Sequence, residues 1–201
     1  ALIEGGSPKM GIVYCPVTKV LYWNEYEGKV YKKENFTVNE INKRTSVNDN
    51  DKNLRVVVSR SHINDETNEY IEKLNEPKLI SCGSSLKFLY IADNKADIYP
   101  RFGPTMEWDT AAAHSILSSL DIMVMNLDTG RELSYNKENL LNPDFIALAN
   151  AYGIDAHRVT ETAEFGDVFE KAKASQSATL IELIIEPNVL GPALEIGKNI
   201  G

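Results

Sequence analysis

Tyr99-Pro100-Arg101-Phe102-Gly103-Pro104-Thr105-Met106-Glu107-Trp108-Asp109-Thr110-Ala111-Ala112-Ala113-His114-Ser115-Ile116-Leu117 is the stretch on which the fold turns. Ile98 and Tyr99 read as the end of a strand, and the prolines and glycine that follow form a turn. Thr105 stands where a helix N-cap belongs, and an alanine-rich apolar run comes after it. Asp109 then falls in the first helical turn. There its carboxylate lies beside the unpaired N–H groups and the positive end of the helix, where it can hold a metal ion while the terminus faces a phosphate. The same position also suits a carboxylate that only complements the helix dipole. Trp108 reads as a core anchor.

Upstream, Ala1 to Glu4 reads as a strand, Gly5 to Pro8 as a tight turn and Lys9 to Tyr14 as the returning strand of a hairpin. Val20 to Trp23 and Lys29 to Tyr31, separated by Gly28, extend it into a meander. From Glu34 to Asn53 the composition shifts to Asn, Asp, Lys and Glu, which predicts a long surface connection, partly extended. Strand and helix then alternate: a strand over 54–59, a helix over 65–74, a strand over 78–80, a helix over 84–92 and a strand over 96–99. Ile122 to Met125 adds another strand after the central helix. This order predicts a layered α/β core with ligand groups at strand ends.

Downstream, Asn142 to Ala149 reads as a helix with Pro143 near its start and Gly153 at its end. A strand over 156–159, a helix capped by Thr160 with Phe165, Val168, Phe169 and Ala172 on one face, and an apolar strand over 178–185 follow. The chain therefore divides, on sequence, into 1–141, a helix–strand–helix–strand tail over 142–188, and an unassigned 189–201.

The 201 residues, 43% of them hydrophobic, suffice for a buried core. A net charge of −8 supplies no general field for nucleic acid or an anionic membrane surface, so an anionic small molecule would need a local cationic site. No apolar run reaches membrane-spanning length and no charged-then-apolar leader opens the sequence. Cys15 and Cys82 show no paired spacing, and free thiols that serve as small buried hydrophobes fit a reducing cytosol; a cytoplasmic location is expected. His/Cys spacing for zinc is absent from the sequence.

Two further segments carry groups that bind anions. Gly83-Ser84-Ser85-Leu86-Lys87 opens a predicted helix, so hydroxyls, backbone N–H groups and one ammonium can converge on a phosphate; the two serines serve equally as plain helix caps. Arg101 can pair a phosphate bidentately, or stand as a surface arginine beside a turn. His62 follows a strand end, a place for a ligand contact or a structural histidine; His114 and His157 read as structural.

Trp108-Asp109-Thr110-Ala111-Ala112 resembles the second signature of the inositol monophosphatase superfamily. The longer PRFGPTMEWDTAAAH resembles its 3'(2'),5'-bisphosphate nucleotidase branch, the CysQ type, as do the opening strands and YNKENLLNP over 135–143. The resemblance covers residues 1 to about 145 and implies an α/β fold, the C-terminal half of the layered inositol-monophosphatase-like architecture. It implies a phosphoric monoester hydrolase that takes adenosine 3',5'-bisphosphate to AMP and phosphate, with inositol phosphates or fructose bisphosphate as sister substrates because the WDxAA element is shared. Asp109 matches the family's metal-ligand aspartate, a catalytic and substrate-side residue. Ser84, Ser85 and Lys87 match its nucleotide-contacting segment, His62 a histidine near the nucleotide, and Arg101 suits a second phosphate.

The family's Mg²⁺ ions bridge several carboxylates and the substrate phosphate, activate a water and stabilise the leaving alkoxide. Its D-P-x-D-G-T segment does not occur in these 201 residues. Asp109 alone makes an incomplete Mg²⁺ site, so the chain by itself is expected to be inactive, or a non-catalytic nucleotide-binding module. An opening hairpin whose partner strands lie elsewhere would leave a sheet edge exposed, from which self-association is expected. Separately, NPDFIALANAYGIDAHRV with LIELIIEP resembles the C-terminal end of thiamine-diphosphate enzymes of the acetolactate-synthase and decarboxylase type, which suggests a junction near Asn142. That segment lies beyond those enzymes' cofactor motif, and Gly166-Asp167 does not supply one, so thiamine diphosphate is not expected.

Overall fold

A computed structural model describes residues 1–26, 28–43, 47, 51–59, 63–149, 155–159, 162–174, 179–183, 189–191 and 194–195. Contacts divide the chain into two units, Ala1–Tyr152 and Gly153–Gly201.

The first unit opens with an antiparallel hairpin of β1 (Leu2–Glu4) and β2 (Ser7–Met10). Gly5 and Gly6 close it at φ of 56° and 78°, the left-handed region where a side chain is strained. The returning strand expected over Lys9–Tyr14 is broken at Gly11. From there β3 (Ile12–Cys15) turns into a different sheet, an antiparallel meander with β4 (Val20–Asn24), β5 (Val30–Glu34) and β6 (Thr37–Ile41) in that order. Close approach explains the break: a Cβ on Gly11 would lie 2.0 Å from the Ala112 carbonyl oxygen. Asn24, 1% exposed, binds the same joint. Its Oδ1 accepts from the Gly11 N–H at 2.7 Å and the Ser115 hydroxyl at 3.1 Å, while Nδ2 donates to the Lys9 carbonyl at 3.0 Å.

The alternating segment follows as β7 (Arg55–Ser59), α1 (Asp65–Glu72), β8 (Lys78–Cys82), α2 (Leu86–Ala92), β9 (Ile98–Arg101), α3 (Glu107–Ser118), β10 (Met123–Asn126) and β11 (Phe145–Leu148). Its strands form one sheet in the order β10-β11-β9-β7-β8, with β8, β7 and β9 parallel and β11 antiparallel to both its neighbours. Val56, Val57 and Val58 are all buried, as a strand covered on both faces requires. Val57, Tyr99 and Phe145 face the main core with α2, α3 and the meander; Val56, Val58 and Ile98 face a second core that includes Ile71 of α1. The layers therefore run α1, five-stranded sheet, α2 with α3, four-stranded sheet.

The segment Asn142–Ala149, expected as a helix, instead supplies the interior strand β11. Phe145 pairs with Arg101 and Leu148 with Ile98 on one side, and the same residues pair with Asn126 and Met123 on the other. A slot between two strands satisfies every backbone group of this short apolar run, whose four residues carry no periodicity to separate helix from strand. Pro143, lacking an N–H, sits just ahead of the ladder. The first unit consequently extends past Asn142 to Tyr152.

In the second unit β12 (Asp155–Val159) and β13 (Thr179–Leu183) pair in parallel, joined by α4 (Thr162–Ala174), the strand–helix–strand order read from the sequence. A short antiparallel pair, β14 (Val189–Gly191) and β15 (Leu194–Glu195), follows. No helix among the described residues is long and apolar enough to cross a membrane. Both cysteines are free thiols; Cys82 is buried, while Cys15, expected to be buried, is partly exposed on β3.

Candidate functional site

The end of β9 and the starts of α2 and α3 converge on one cavity of about 230 Å³. Ser84, Ser85, Lys87, Arg101 and Asp109 all line it, together with Ser59, Tyr99, Thr105 and Thr110. His62, the sixth residue singled out in the sequence, lies outside the described residues.

Tyr99 and Arg101, two apart on β9, present their side chains to the same face of the sheet. The Arg101 guanidinium donates one bond to the Pro104 carbonyl at 3.1 Å, and its buried Nε has no partner. Ser84 is held at φ 52°, an unusual conformation for a residue with a Cβ. Lys87 is only 6% exposed. Its ammonium donates to the Ser84 carbonyl at 3.0 Å and rests 5.1 Å from the centre of the Tyr99 ring. Burial, reinforced by the nearby Arg101 and opposed by Cys82, pushes the Lys87 pKa below the ordinary lysine range.

Asp109 is the third residue of α3, and the N-cap is Met106, one position later than the expected Thr105. The Asp109 carboxylate accepts from the Met106 N–H at 2.9 Å, and the Ser85 hydroxyl donates to the Asp109 carbonyl at 3.2 Å, tying the starts of the two helices together. Trp108, expected in the core, is 66% exposed. The inward stripe of α3 is taken by Glu107, Thr110, Ala111 and His114, spaced three and four apart, and Trp108 lies off it.

Those inward polar residues were not foreseen as a group, and they anchor the site. Glu107 accepts from the Asn136 N–H at 2.8 Å, the Lys137 N–H at 3.2 Å and the Lys137 ammonium at 2.5 Å. Burial would raise the Glu107 pKa, but these donors outweigh it and hold the carboxyl below the usual carboxylate range. Asn142 donates to the Thr105 hydroxyl at 3.2 Å and to that of Thr110 at 3.1 Å. Fully buried His114 contacts the Tyr135 hydroxyl at 2.8 Å, which donates to Thr110 at 3.2 Å. The 134–142 segment thus clamps the first turns of α3. The sequence signal was the run of acid, threonine and histidine on one helical stripe, which a search for apolar periodicity passes over.

Two cations and one carboxylate stand on the cavity wall, a set that could receive an anion. Its volume is below that of pockets that enclose a whole drug-sized ligand, and matches the anionic end of one. For a divalent metal the donor set is incomplete. Asp109 could supply one carboxylate, with one of its oxygens already accepting from Met106, and no group of three or more His, Cys, Asp or Glu that could hold a metal occurs among the described residues.

The sequence profile of the inositol monophosphatase family matches residues 1–164. This chain belongs to that family. Among inositol monophosphatase family members, the 3'(2'),5'-bisphosphate nucleotidase CysQ of Salmonella typhimurium is 46% identical over 146 residues, a match that covers 72% of this chain and 56% of that protein. The CysQ nucleotidase of Escherichia coli is 43% identical over the same length. Among solved structures, CysQ from Bacteroides thetaiotaomicron superposes with a TM-score of 0.64 at 38% identity, covering 75% of this chain and 61% of that one. Staphylococcal IMPase-II, at 18% identity and a TM-score of 0.59, shares the fold. This family chain spans a little over half the length of the curated relatives it matches. The family match crosses Asn142, where a junction was expected, in keeping with β11 as part of the sheet.

Proposed function

We propose that this chain carries the substrate-holding part of a metal-dependent phosphomonoesterase of the 3'(2'),5'-bisphosphate nucleotidase type, acting on adenosine 3',5'-bisphosphate to give AMP and phosphate in the cytoplasm. The observation that carries this reading is the convergence of Ser84, Ser85, Lys87, Arg101 and Asp109 on one cavity. The two serine hydroxyls and the Lys87 ammonium hold one phosphate. Arg101 meets the second with its planar fork, and a phosphate oxygen satisfies the buried Nε that has no partner in the protein. Asp109, fixed by its bond to the Met106 N–H, faces the reacting phosphate.

Mg²⁺, when bound, would supply Lewis-acid stabilisation and an activated water. Asp109 would be one ligand to it, and the remaining ligands would have to come from outside the described residues. By itself the chain binds the bisphosphate and does not turn it over.

The test is phosphate release from adenosine 3',5'-bisphosphate with Mg²⁺, alongside binding of the nucleotide without metal, for the chain and for Asp109→Ala. Metal-independent binding without release is the expected result. Release that disappears in Asp109→Ala would show a complete metal site in this chain and overturn the division of labour; absence of binding would overturn the functional reading itself.

A further inference from the structure

The sequence marks Lys87 as a phosphate ligand but says nothing of how a buried ammonium is held in place to receive one. Tyr99 answers that. Its ring packs edge-on against Phe88 at 5.0 Å and against Phe145 at 5.7 Å, and Phe88 and Phe145 stack on each other at 5.7 Å. Three strands or helices therefore fix one aromatic plane: Phe88 from α2, Tyr99 from β9 and Phe145 from β11. Upon that plane lies the Lys87 ammonium, 5.1 Å from the ring centre, within the range at which a cation is attracted to an aromatic face. The Ser84 carbonyl holds it from another side at 3.0 Å. An ammonium has three donors, so the remaining ones are available to the cavity.

We propose that Tyr99 is a positioning residue whose ring, rather than its hydroxyl, holds the Lys87 ammonium in the phosphate cavity. The proposal rests on the reading of this cavity as a phosphate site. A tethered lysine at the cavity wall loses little freedom when the anion arrives, whereas an untethered one must be ordered at that moment. Tyr99 raises affinity only through Lys87 and contributes nothing to anion binding when Lys87 is absent.

The experiment is a double-mutant cycle on the full chain, read by calorimetric titration with adenosine 3',5'-bisphosphate. Expected are a loss of about 3- to 10-fold for Tyr99→Leu, little change for Tyr99→Phe, and no further loss from Tyr99→Leu in a Lys87→Ala background. Equal losses from Tyr99→Leu with and without Lys87 would make Tyr99 merely a core residue and overturn the proposal. Since Tyr99→Leu also removes core packing, a second series replaces Tyr99 by phenylalanines of increasing ring fluorination, which keep the shape and weaken the ring's negative face. Affinity falls stepwise along that series if the proposal holds and stays level if it does not.

A readout without ligand separates this inference from the functional reading. The Lys87 ammonium, followed by NMR through an alkaline titration of the free protein, faces Arg101, Cys82 and the Tyr99 ring. Its resonance and titration move toward those of an exposed lysine in Tyr99→Leu and stay in place in Tyr99→Phe. Failure of the wild-type chain to bind nucleotide, with this signature intact, would sink the phosphate-site reading and leave the Tyr99–Lys87 coupling standing; binding with an unmoved signature would do the reverse.

Discussion

At the scale of single residues, Lys87 and Ser84 carry the clearest consequences. Lys87 must be charged to hold a phosphate, yet burial and Arg101 lower its pKa. Nucleotide affinity therefore falls as pH rises through that lowered value, earlier than it would with an exposed lysine. Fold stability moves the other way in this window, since the unfolded chain binds the proton more tightly than the folded one. Titrations across alkaline pH check the first, and Lys87→Arg, charged throughout, flattens the profile. Ser84 at φ 52° bears a backbone cost that glycine does not. Ser84→Gly should leave stability unchanged or raise it by up to about 1 kcal/mol in denaturant unfolding, while weakening nucleotide binding. The five described residues that meet at the cavity were singled out in the sequence because they sit in contiguous segments, GSSLK and PRFGPTMEWD, whose residue types themselves suit anions and metals. Tyr99 was not, because its role comes from a ring face meeting a lysine on another element. Trp108 was misplaced because the inward stripe of α3 is polar.

Among the elements, α3 sets the site, and it is held from two directions. The 134–142 clamp acts through Glu107, whose carboxyl is kept below the ordinary range by the Asn136 and Lys137 donors despite burial. That contribution is present above the unfolded carboxyl pKa and is lost as pH falls through the folded one. Glu107→Gln should flatten the acid limb of a thermal-stability profile, and a profile as steep as wild type would show that the clamp is not what titrates. On the opposite side Gly11 touches the α3 backbone. Gly11→Ala, with its Cβ 2.0 Å from the Ala112 carbonyl oxygen, should cost about 2–4 kcal/mol or prevent folding, measured by chemical unfolding. The alternation of strands and helices from β7 to β10 was readable from propensity and punctuation. The break at Gly11 and the strand β11 were not, because a backbone approach between distant segments and a slot between two strands are tertiary facts.

For the whole molecule, membership in the inositol monophosphatase family rests on a match over most of the chain, while the matched segment covers only 56% of the Salmonella typhimurium relative. The meander's edge strand β3 leaves Ile12 and Tyr14 exposed, and Val38 is exposed on β6. An apolar strand with an open edge favours pairing with another strand, so concentration-dependent self-association is expected by light scattering and should weaken in Ile12→Lys. A monomer at high concentration would contradict it. The layered order of the fold was foreseen in kind from the alternation of elements. Which strands neighbour which was not, since β11 joins the sheet between β9 and β10 from some forty residues further along the chain.

The most direct test is calorimetric titration of the chain with adenosine 3',5'-bisphosphate and with AMP, repeated in Arg101→Ala. The bisphosphate should bind at least about tenfold more tightly than AMP, and that advantage should collapse when the guanidinium is removed, as the loss of a charge-assisted pair requires. Equal affinity for the two nucleotides, or an advantage that survives Arg101→Ala, would contradict the assignment of this cavity to a bisphosphate.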